Sequence, residues 1–151
     1  MEFSEVIKSE LIKLDMEAKT KEEALAELVD LLYQNNVLSD KGSFLDDVYE
    51  REKMGMTGIG NHIAIPHGKS VSVKKTSLAI GRTKTEIQWE TLDDEPVQFI
   101  ILFAVSEEDK TSVHLNLLTK VAKALGNDEV CQSLMAATVP DQILEIFISA
   151  H

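Results

Sequence analysis

His67 stands where a side chain could do chemistry, directly after the apolar segment Ile63-Ala64-Ile65-Pro66. Pro66 fixes its own φ and keeps Ile65 extended, so a rigid segment would present the imidazole at the carboxyl end of a strand, where open α/β sheets often bind ligands. Gly68 would leave room for a partner's backbone. A neutral imidazole is a nucleophile near neutral pH. The alternative is a turn histidine that only makes a backbone hydrogen bond, and spacing alone slightly favours that alternative.

His114 and Arg51 are the next candidates. His114 lies in the first turn of a predicted helix and shares a face with Leu117 and Val121, so a buried structural role is the simpler interpretation. The helix N-terminus would also favour an anion there. Arg51 lies in the last turn of another predicted helix, where the helix dipole already explains a cation. If Arg51 came close to His67, it could instead bind a phosphoryl group.

A loop with the glycines Gly55, Gly58 and Gly60 precedes His67, and these glycines are by themselves a weak signal. The glycine spacing matches neither the P-loop pattern nor the dinucleotide-binding pattern, so it gives no support for nucleotide binding.

The single cysteine, Cys131, excludes a disulfide framework and a zinc site built from several cysteines. It lies among apolar residues of a predicted helix, which indicates a buried structural thiol. A metal site built from His67, His114 and a carboxylate stays open as an alternative, although no His-x-x-x-His pair supports it. Neither His62 nor the terminal His151 is assigned a role.

Length and charge narrow the class of protein. The 151 residues are the length of one domain, so a single domain over residues 1–151 is expected. A net charge of -11 would repel phosphate backbones, so no nucleic-acid partner is expected. No apolar run approaches the roughly 18–20 residues of a spanning helix, and the first residues lack a secretory signal pattern. We therefore expect a cytoplasmic protein that does not insert into membranes.

The apolar pattern predicts an α/β domain, with a mixed β-sheet of about four to five strands flanked by helices on both sides in a three-layer sandwich. Helices are predicted to begin at the caps Thr20 and Asp40, and three more are predicted after residue 111, one of them capped by Asp128. Strands are predicted over 11–16, 63–65, 77–83 and 97–105. The last of these is almost continuously apolar, which is typical of a central strand buried on both faces.

Three features together resemble the signature of the fructose/mannitol-type enzyme IIA domains of the bacterial phosphoenolpyruvate-dependent sugar phosphotransferase system (PTS). They are Arg51, the segment T-G-I-G-N at 57–61 and the segment I-A-I-P-H-G at 63–68. The last segment is specific, because in that family the histidine at its end is the phosphorylated residue. The resemblance extends along the whole chain and implies a mixed sheet flanked by helices.

The resemblance also implies roles for single residues. His67 matches the histidine that accepts a phosphoryl group on Nε2 from the phosphocarrier protein HPr and passes it to a cysteine of enzyme IIB. Arg51 matches the arginine that contacts the phosphoryl group, and His114 matches the second active-site histidine. In the mechanism that the resemblance implies, His114 and N–H groups of the loop would donate hydrogen bonds to the phosphoryl group, and the loop candidates are Thr57, Gly58, Gly60 and Asn61. No cofactor or metal is needed for transfer between two side chains.

The signature does not distinguish transport from regulation. The nitrogen-related members of the family have the same histidine but act mainly in signalling, without a sugar permease partner. The sequence also does not identify a sugar, since specificity in the family belongs largely to the membrane partner.

Overall fold

A computed structural model describes residues 2–150, so Met1 and His151 lie outside the described residues. The α-helices, in chain order, are α1 Phe3–Val6, α2 Lys21–Gln34, α3 Lys41–Glu52, α4 Thr111–Leu125, α5 Asp128–Ala136 and α6 Pro140–Ser149. A short 3₁₀ helix, Ser9–Leu11, precedes the first strand. The strands are β1 Ile12–Met16, β2 Gly58–Gly60, β3 Ile63–Ala64, β4 His67–Ser70, β5 Ser77–Ile87 and β6 Val97–Ser106.

The six strands form one mixed sheet in the order β1-β5-β6-β3-β2, and β4 also pairs with β6. β1 runs parallel to β5, β5 runs antiparallel to β6, and both β3 and β4 run parallel to β6. The predicted mixed sheet is confirmed. It has more strands than expected, because the segment 58–70 forms three short strands rather than one.

The sheet is covered on both faces, which confirms the predicted three-layer sandwich. Along β6, Phe99, Ile101 and Phe103 belong to a core shared with α1, α4, α5 and α6, while Ile100 and Leu102 belong to a second core shared with α2 and α3. This alternation follows from the two-residue period of a strand. No helix within residues 2–150 combines the length and the apolar character needed to span a bilayer.

Local capping explains where the first long helices begin. The side chain of Thr20 accepts from the Glu23 N–H at 3.1 Å and that of Asp40 accepts from the Ser43 N–H at 3.0 Å, as predicted. The predicted cap Asp128 is wrong by one residue. Asn127 caps α5 instead, because its side chain accepts from two N–H groups of the first turn.

A tight hairpin joins β2 to β3. The two turn residues, Asn61 and His62, have φ of 55° and 64°. Positive φ at both central positions is the mark of a type I′ turn, whose twist matches that of the flanking strands. The segment that the sequence analysis predicted as a loop is therefore a β-hairpin whose second strand is β3.

Candidate functional site

His67 is placed by an interrupted strand that runs beside β6. β3 pairs with Phe99 and Ile100, Pro66 breaks the ladder because it has no N–H, and β4 resumes with His67 opposite Phe103. The Phe103 N–H donates to the Pro66 carbonyl oxygen at 2.9 Å, which holds the break against β6. The sequence placed His67 just beyond a strand, whereas the structure makes it the first residue of β4.

A backbone contact fixes the orientation of the His67 ring. Nδ1 lies 2.8 Å from the carbonyl oxygen of Ile65. Because a carbonyl oxygen can only accept, the neutral ring has its proton on Nδ1 and a lone pair on Nε2. The backbone hydrogen bond of the alternative interpretation is therefore present, but it leaves Nε2 available for chemistry.

Burial keeps His67 neutral. The side chain is only 8% exposed, and this burial lowers the pKa of His67 below its ordinary value. The positive charge of Arg51 and the neighbouring His114 lower the pKa further, while the Ile65 carbonyl oxygen and Glu52 act in the opposite direction. The unprotonated, nucleophilic form thus predominates at neutral pH.

His114 lies beside His67 at the start of α4. The two ring centroids are 5.7 Å apart with the planes at 72°, and the Phe103 ring lies 5.9 Å from His67 and 6.5 Å from His114. The Nε2 atom of His114 is buried and has no hydrogen-bond partner among residues 2–150. Burial lowers the pKa of His114, and the charges of Lys69 and Arg51 lower it further. A neutral imidazole with an unused nitrogen thus adjoins the candidate nucleophile.

Arg51 approaches both histidines from α3. Its positive charge lowers the pKa of His67 and that of His114, so Arg51 acts electrostatically on both rings. Nη1 donates to the Gly55 carbonyl oxygen at 3.5 Å, the long limit of a hydrogen bond. His67 and His114, which the sequence placed on separate elements, thus lie side by side, and the charge of Arg51 acts on both rings.

Lys69 is a cation near the site that the sequence analysis missed. It lies two residues after His67 on β4, and residues two apart on a strand lie on the same face. Its side chain is exposed, and its charge contributes to the lowered pKa of His114. The two-residue period could have identified it, but the strand had been predicted to end at Ile65.

The four loop candidates have partners within the protein. The Thr57 hydroxyl donates to Glu52 Oε1 at 3.0 Å and accepts from Trp89 Nε1 at 3.2 Å, and the Asn61 N–H donates to Asp93 Oδ2 at 3.2 Å. Gly60 has a φ of +100°, and a Cβ on Gly58 would lie 2.3 Å from the Thr91 side chain. These contacts shape the hairpin, and direct contact between the loop and a phosphoryl group stays a prediction.

Gly68 does not open space for a partner, which corrects the expectation from the sequence. A Cβ at this position would lie 2.8 Å from Val48 Cγ2 and 2.9 Å from Phe44 Cε1. Both side chains belong to α3, so the glycine allows that helix to pack closely on β4. The close packing also brings the end of α3, with Arg51, towards His67.

The side chains of His62 and Cys131 make contacts that belong to the fold. His62 Nδ1 contacts the Pro96 carbonyl oxygen at 2.8 Å and Glu86 Oε2 at 3.3 Å. Cys131 is buried as predicted, its thiol donates to the Leu125 carbonyl oxygen at 3.2 Å, and burial raises its pKa. Within the described part of the chain, no three His, Cys, Asp or Glu side chains converge to hold a metal ion, so the metal-binding alternative gains no support.

Comparison with known proteins identifies the family. The family model described as "Phosphoenolpyruvate-dependent sugar phosphotransferase system, EIIA 2" matches residues 5–150. The chain belongs to this family. The resemblance found in the I-A-I-P-H-G segment is thus confirmed over almost the whole chain.

The relatives of this chain include both sugar-specific PTS components and nitrogen regulatory proteins. The chain is 33% identical to the PTS system fructose-specific EIIABC component of Bacillus subtilis over 100% of its own length, but it spans only 24% of that relative. It is 34% identical to the nitrogen regulatory protein of Klebsiella oxytoca, covering 99% of this chain and 92% of that one. The crystal structure of the nitrogen regulatory protein IIA-Ntr from Neisseria meningitidis superposes with a TM-score of 0.87 at 31% identity, covering 95% and 97% of the two chains.

Proposed function

We propose that this chain is a phosphoryl carrier of the bacterial PTS, in which His67 accepts a phosphoryl group from phospho-HPr and passes it to a cysteine of enzyme IIB. The observation that carries the proposal is the contact between His67 Nδ1 and the Ile65 carbonyl oxygen, which leaves Nε2 as the nucleophile. Membership of the EIIA family supports phosphoryl transfer in general.

In the accepting step, the Nε2 lone pair of His67 attacks the phosphorus atom of phospho-HPr in line with the bond that breaks. The P–N bond of the donor breaks, and its electron pair stays on the donor nitrogen. His67 then bears a phosphoryl group on Nε2 and a proton on Nδ1, so its ring becomes cationic. The Ile65 carbonyl oxygen already accepts from Nδ1 and would stabilise that charge.

Charge on the phosphoryl oxygens is balanced by residues from three elements. Arg51 from α3 and Lys69 from β4 supply positive charge, and His114 from α4 offers a nitrogen that has no other partner in residues 2–150. Arginine presents a planar fork suited to phosphoryl oxygens. Stabilisation that is greater in the transition state than in the phosphorylated state speeds transfer in both directions.

In the donating step, a cysteine thiolate of enzyme IIB attacks the phosphorus atom of phospho-His67. The P–N bond breaks, its electron pair returns to Nε2, and the ring becomes neutral again with its proton still on Nδ1. The cycle therefore restores His67 without storing a proton or requiring a metal or cofactor. Burial, which lowers the pKa of His67, favours this return to the neutral ring.

Regulation through the same histidine is the second candidate function. It is supported by the nitrogen regulatory relatives, which match over nearly their whole length and include the structure with a TM-score of 0.87. The same phosphoryl-accepting chemistry would then report phosphorylation to another protein instead of feeding sugar uptake.

Phosphorylation in a reconstituted system tests the proposal. With phosphoenolpyruvate, enzyme I and HPr, the protein is expected to gain one acid-labile phosphoryl group, measured by intact mass, and His67→Gln is expected to gain none. His62→Gln is the matched control, because its side chain is bonded to Pro96 and Glu86. Equal labelling of His67→Gln and wild type would refute the assignment. Adding a cognate enzyme IIB then distinguishes transport, in which the label moves on, from regulation, in which it stays.

A further inference from the structure

Glu52, the last residue of α3, has a carboxylate that the proposed transfer steps leave unused. The side chain is only 6% exposed, and Oε1 lies 2.7 Å from Lys21 Nζ and 3.0 Å from the Thr57 hydroxyl. The second oxygen, Oε2, is buried and has no hydrogen-bond partner in the described part of the chain. Burying a carboxylate in this way is unfavourable, so a charge kept here calls for an explanation beyond helix packing.

Glu52 lies on the face of α3 that packs against β4, the strand that bears His67. Phe44, Val48 and Glu52 are spaced by four residues, so they lie along one face of the helix. Phe44 and Val48 on that face pack against Gly68, the residue after His67. The carboxylate therefore lies one helical turn beyond the contact between α3 and β4.

A continuous series of hydrogen bonds leads from Glu52 to His67. The Thr57 hydroxyl donates to Glu52, and the Thr57 carbonyl oxygen accepts from the Ile65 N–H at 2.9 Å. The carbonyl oxygen of the same Ile65 lies 2.8 Å from His67 Nδ1. Trp89 Nε1 donates to the Thr57 hydroxyl at 3.2 Å, so Thr57 is held from two sides. Thr57 and Ile65 thus connect a buried carboxylate to the ring nitrogen.

We propose that Glu52 is a positioning residue for His67: through Thr57 it holds Ile65, whose carbonyl oxygen keeps the ring proton on Nδ1 and the Nε2 lone pair available. This inference rests on the proposed function of His67 as phosphoryl acceptor. An imidazole without such a contact populates both tautomers, and the one with its proton on Nε2 has no lone pair on that nitrogen for attack on phosphorus.

The charge of Glu52 acts in the same direction as its geometry. The charged or titratable groups that act on His67 are Arg51 and Glu52 from α3 and His114 from α4. Of these, Glu52 alone raises the pKa of His67, because its negative charge stabilises the protonated ring. Glu52 therefore supports the cationic ring that phosphorylation creates, as well as the orientation of the neutral ring.

Variants along the series of contacts test the inference. Thr57→Val removes the hydroxyl at nearly constant shape, and Glu52→Leu removes its acceptor. Both are expected to shift the His67 tautomer, measured by ¹⁵N NMR, towards a mixture with Nε2–H. Both are expected to slow transfer from phospho-HPr by roughly tenfold, by analogy with the losses that follow removal of a group that orients a metal-binding histidine. Thr57→Ser restores the donor and should recover most of the rate. Glu52→Gln restores an acceptor without the charge, so it should recover the tautomer but only part of the rate. Glu50→Gln is the control, since that exposed carboxylate pairs with Lys53 at 2.9 Å on the surface of α3.

The readouts separate failure of this inference from failure of the proposed function. An unchanged tautomer and an unchanged rate in folded Thr57→Val and Glu52→Leu would overturn the positioning role. If wild-type protein gains no phosphoryl group, the proposed function fails, but the NMR measurement still decides whether Glu52 orients the ring. If Glu52→Leu does not fold, Thr57→Val decides the same question, because it leaves the pair between Glu52 and Lys21 intact.

Discussion

The imidazole rings of His67 and His114 meet edge to face, with their centroids 5.7 Å apart and their planes at 72°. One ring comes from β4 and the other from α4, so the packing of a helix on the sheet creates the pair. Burial lowers the pKa of both rings, and two neutral rings can approach closely without charge repulsion. In the proposed transfer, His67 would act as the nucleophile and His114 would contact a phosphoryl oxygen.

Replacing His114 by leucine is expected to slow phosphoryl transfer without lowering folding stability. A hydrogen bond to a charged group contributes about 1.5–3 kcal/mol, so its loss from the transition state would slow transfer by about ten- to a hundredfold. Folding stability is expected to stay the same or rise, because the variant removes a buried nitrogen that lacks a partner in residues 2–150. Rapid-quench kinetics measure the rate of phosphoryl transfer, and urea unfolding measures the folding stability. Wild-type rates in both transfer steps would return His114 to a purely structural role.

Stability is expected to fall as the pH decreases below 6.5, the ordinary pKa of histidine. Since burial lowers the folded-state pKa of His67 and of His114, the unfolded chain binds more protons in the window between that lowered value and 6.5. Each histidine adds at most about 1.4 kcal/mol per pH unit within this window and nothing to the slope above it. Urea unfolding between pH 7.5 and 5.5 measures the slope. In the double variant His67→Gln/His114→Gln, stability should depend less steeply on pH. The same dependence as in wild type would contradict the attribution of the slope to these two histidines.

Local signals in the sequence were sufficient for much of the fold. Thr20 and Asp40 were recognised as caps because a cap depends only on residues a few positions away. The strand at 97–105 was recognised because a continuous apolar run requires burial on both faces. β4 was missed because Pro66 looks like a strand end, and the ladder that resumes at His67 depends on Phe103, which is distant in sequence.

In the candidate site, too, some residues could be identified from the sequence and others only from the packing of the fold. His67, His114 and Arg51 were chosen as candidates by residue type and position, and the family resemblance then implied their roles. In the structure the rings of His67 and His114 lie 5.7 Å apart, and the charge of Arg51 acts on both. Their roles stay predictions. Lys69 and Glu52 were missed, because each becomes relevant only through the packing of α3 and α4 against β4. No spacing in the sequence indicates a hydrogen-bonded series that crosses from one helix to a strand.

Replacing Gly68 by alanine is expected to destabilise the protein by about 1–3 kcal/mol, the usual effect of overpacking. The added Cβ would lie 2.8 Å from Val48 Cγ2, and α3 would have to move away from β4. Gly42→Ala is the matched control, because a Cβ at Gly42 meets its nearest atom at 3.6 Å and alanine favours a helix by roughly 0.5–1 kcal/mol. Urea unfolding compares them, and Val48→Ala should relieve part of the Gly68→Ala effect. Equal stability of Gly68→Ala and wild type would show that the contact is not close.

Two arginines in this protein differ in how they are held. Arg82 donates from Nη1 to the carbonyl oxygens of Leu134 and Met135 at 3.1 and 3.0 Å, so it caps the end of α5. Within residues 2–150, the Arg51 side chain makes one hydrogen bond, to the Gly55 carbonyl oxygen at the 3.5 Å limit, while its charge acts on both candidate histidines. The first guanidinium is engaged in the fold, and the second is available to a ligand.

Replacing each arginine by lysine is therefore expected to give opposite results. Arg51→Lys should fold with nearly wild-type stability, because lysine preserves a dipole interaction of about 0.3–1 kcal/mol. It should lose at least roughly tenfold in transfer from phospho-HPr, about 1.4 kcal/mol, because an ammonium does not reproduce the planar fork on phosphoryl oxygens. Arg82→Lys should lose about 1–3 kcal/mol of stability and transfer normally while folded. Transfer rates and thermal unfolding are measured in parallel. Full activity in Arg51→Lys would contradict the fork argument, and a large loss of stability would show that Arg51 is structural.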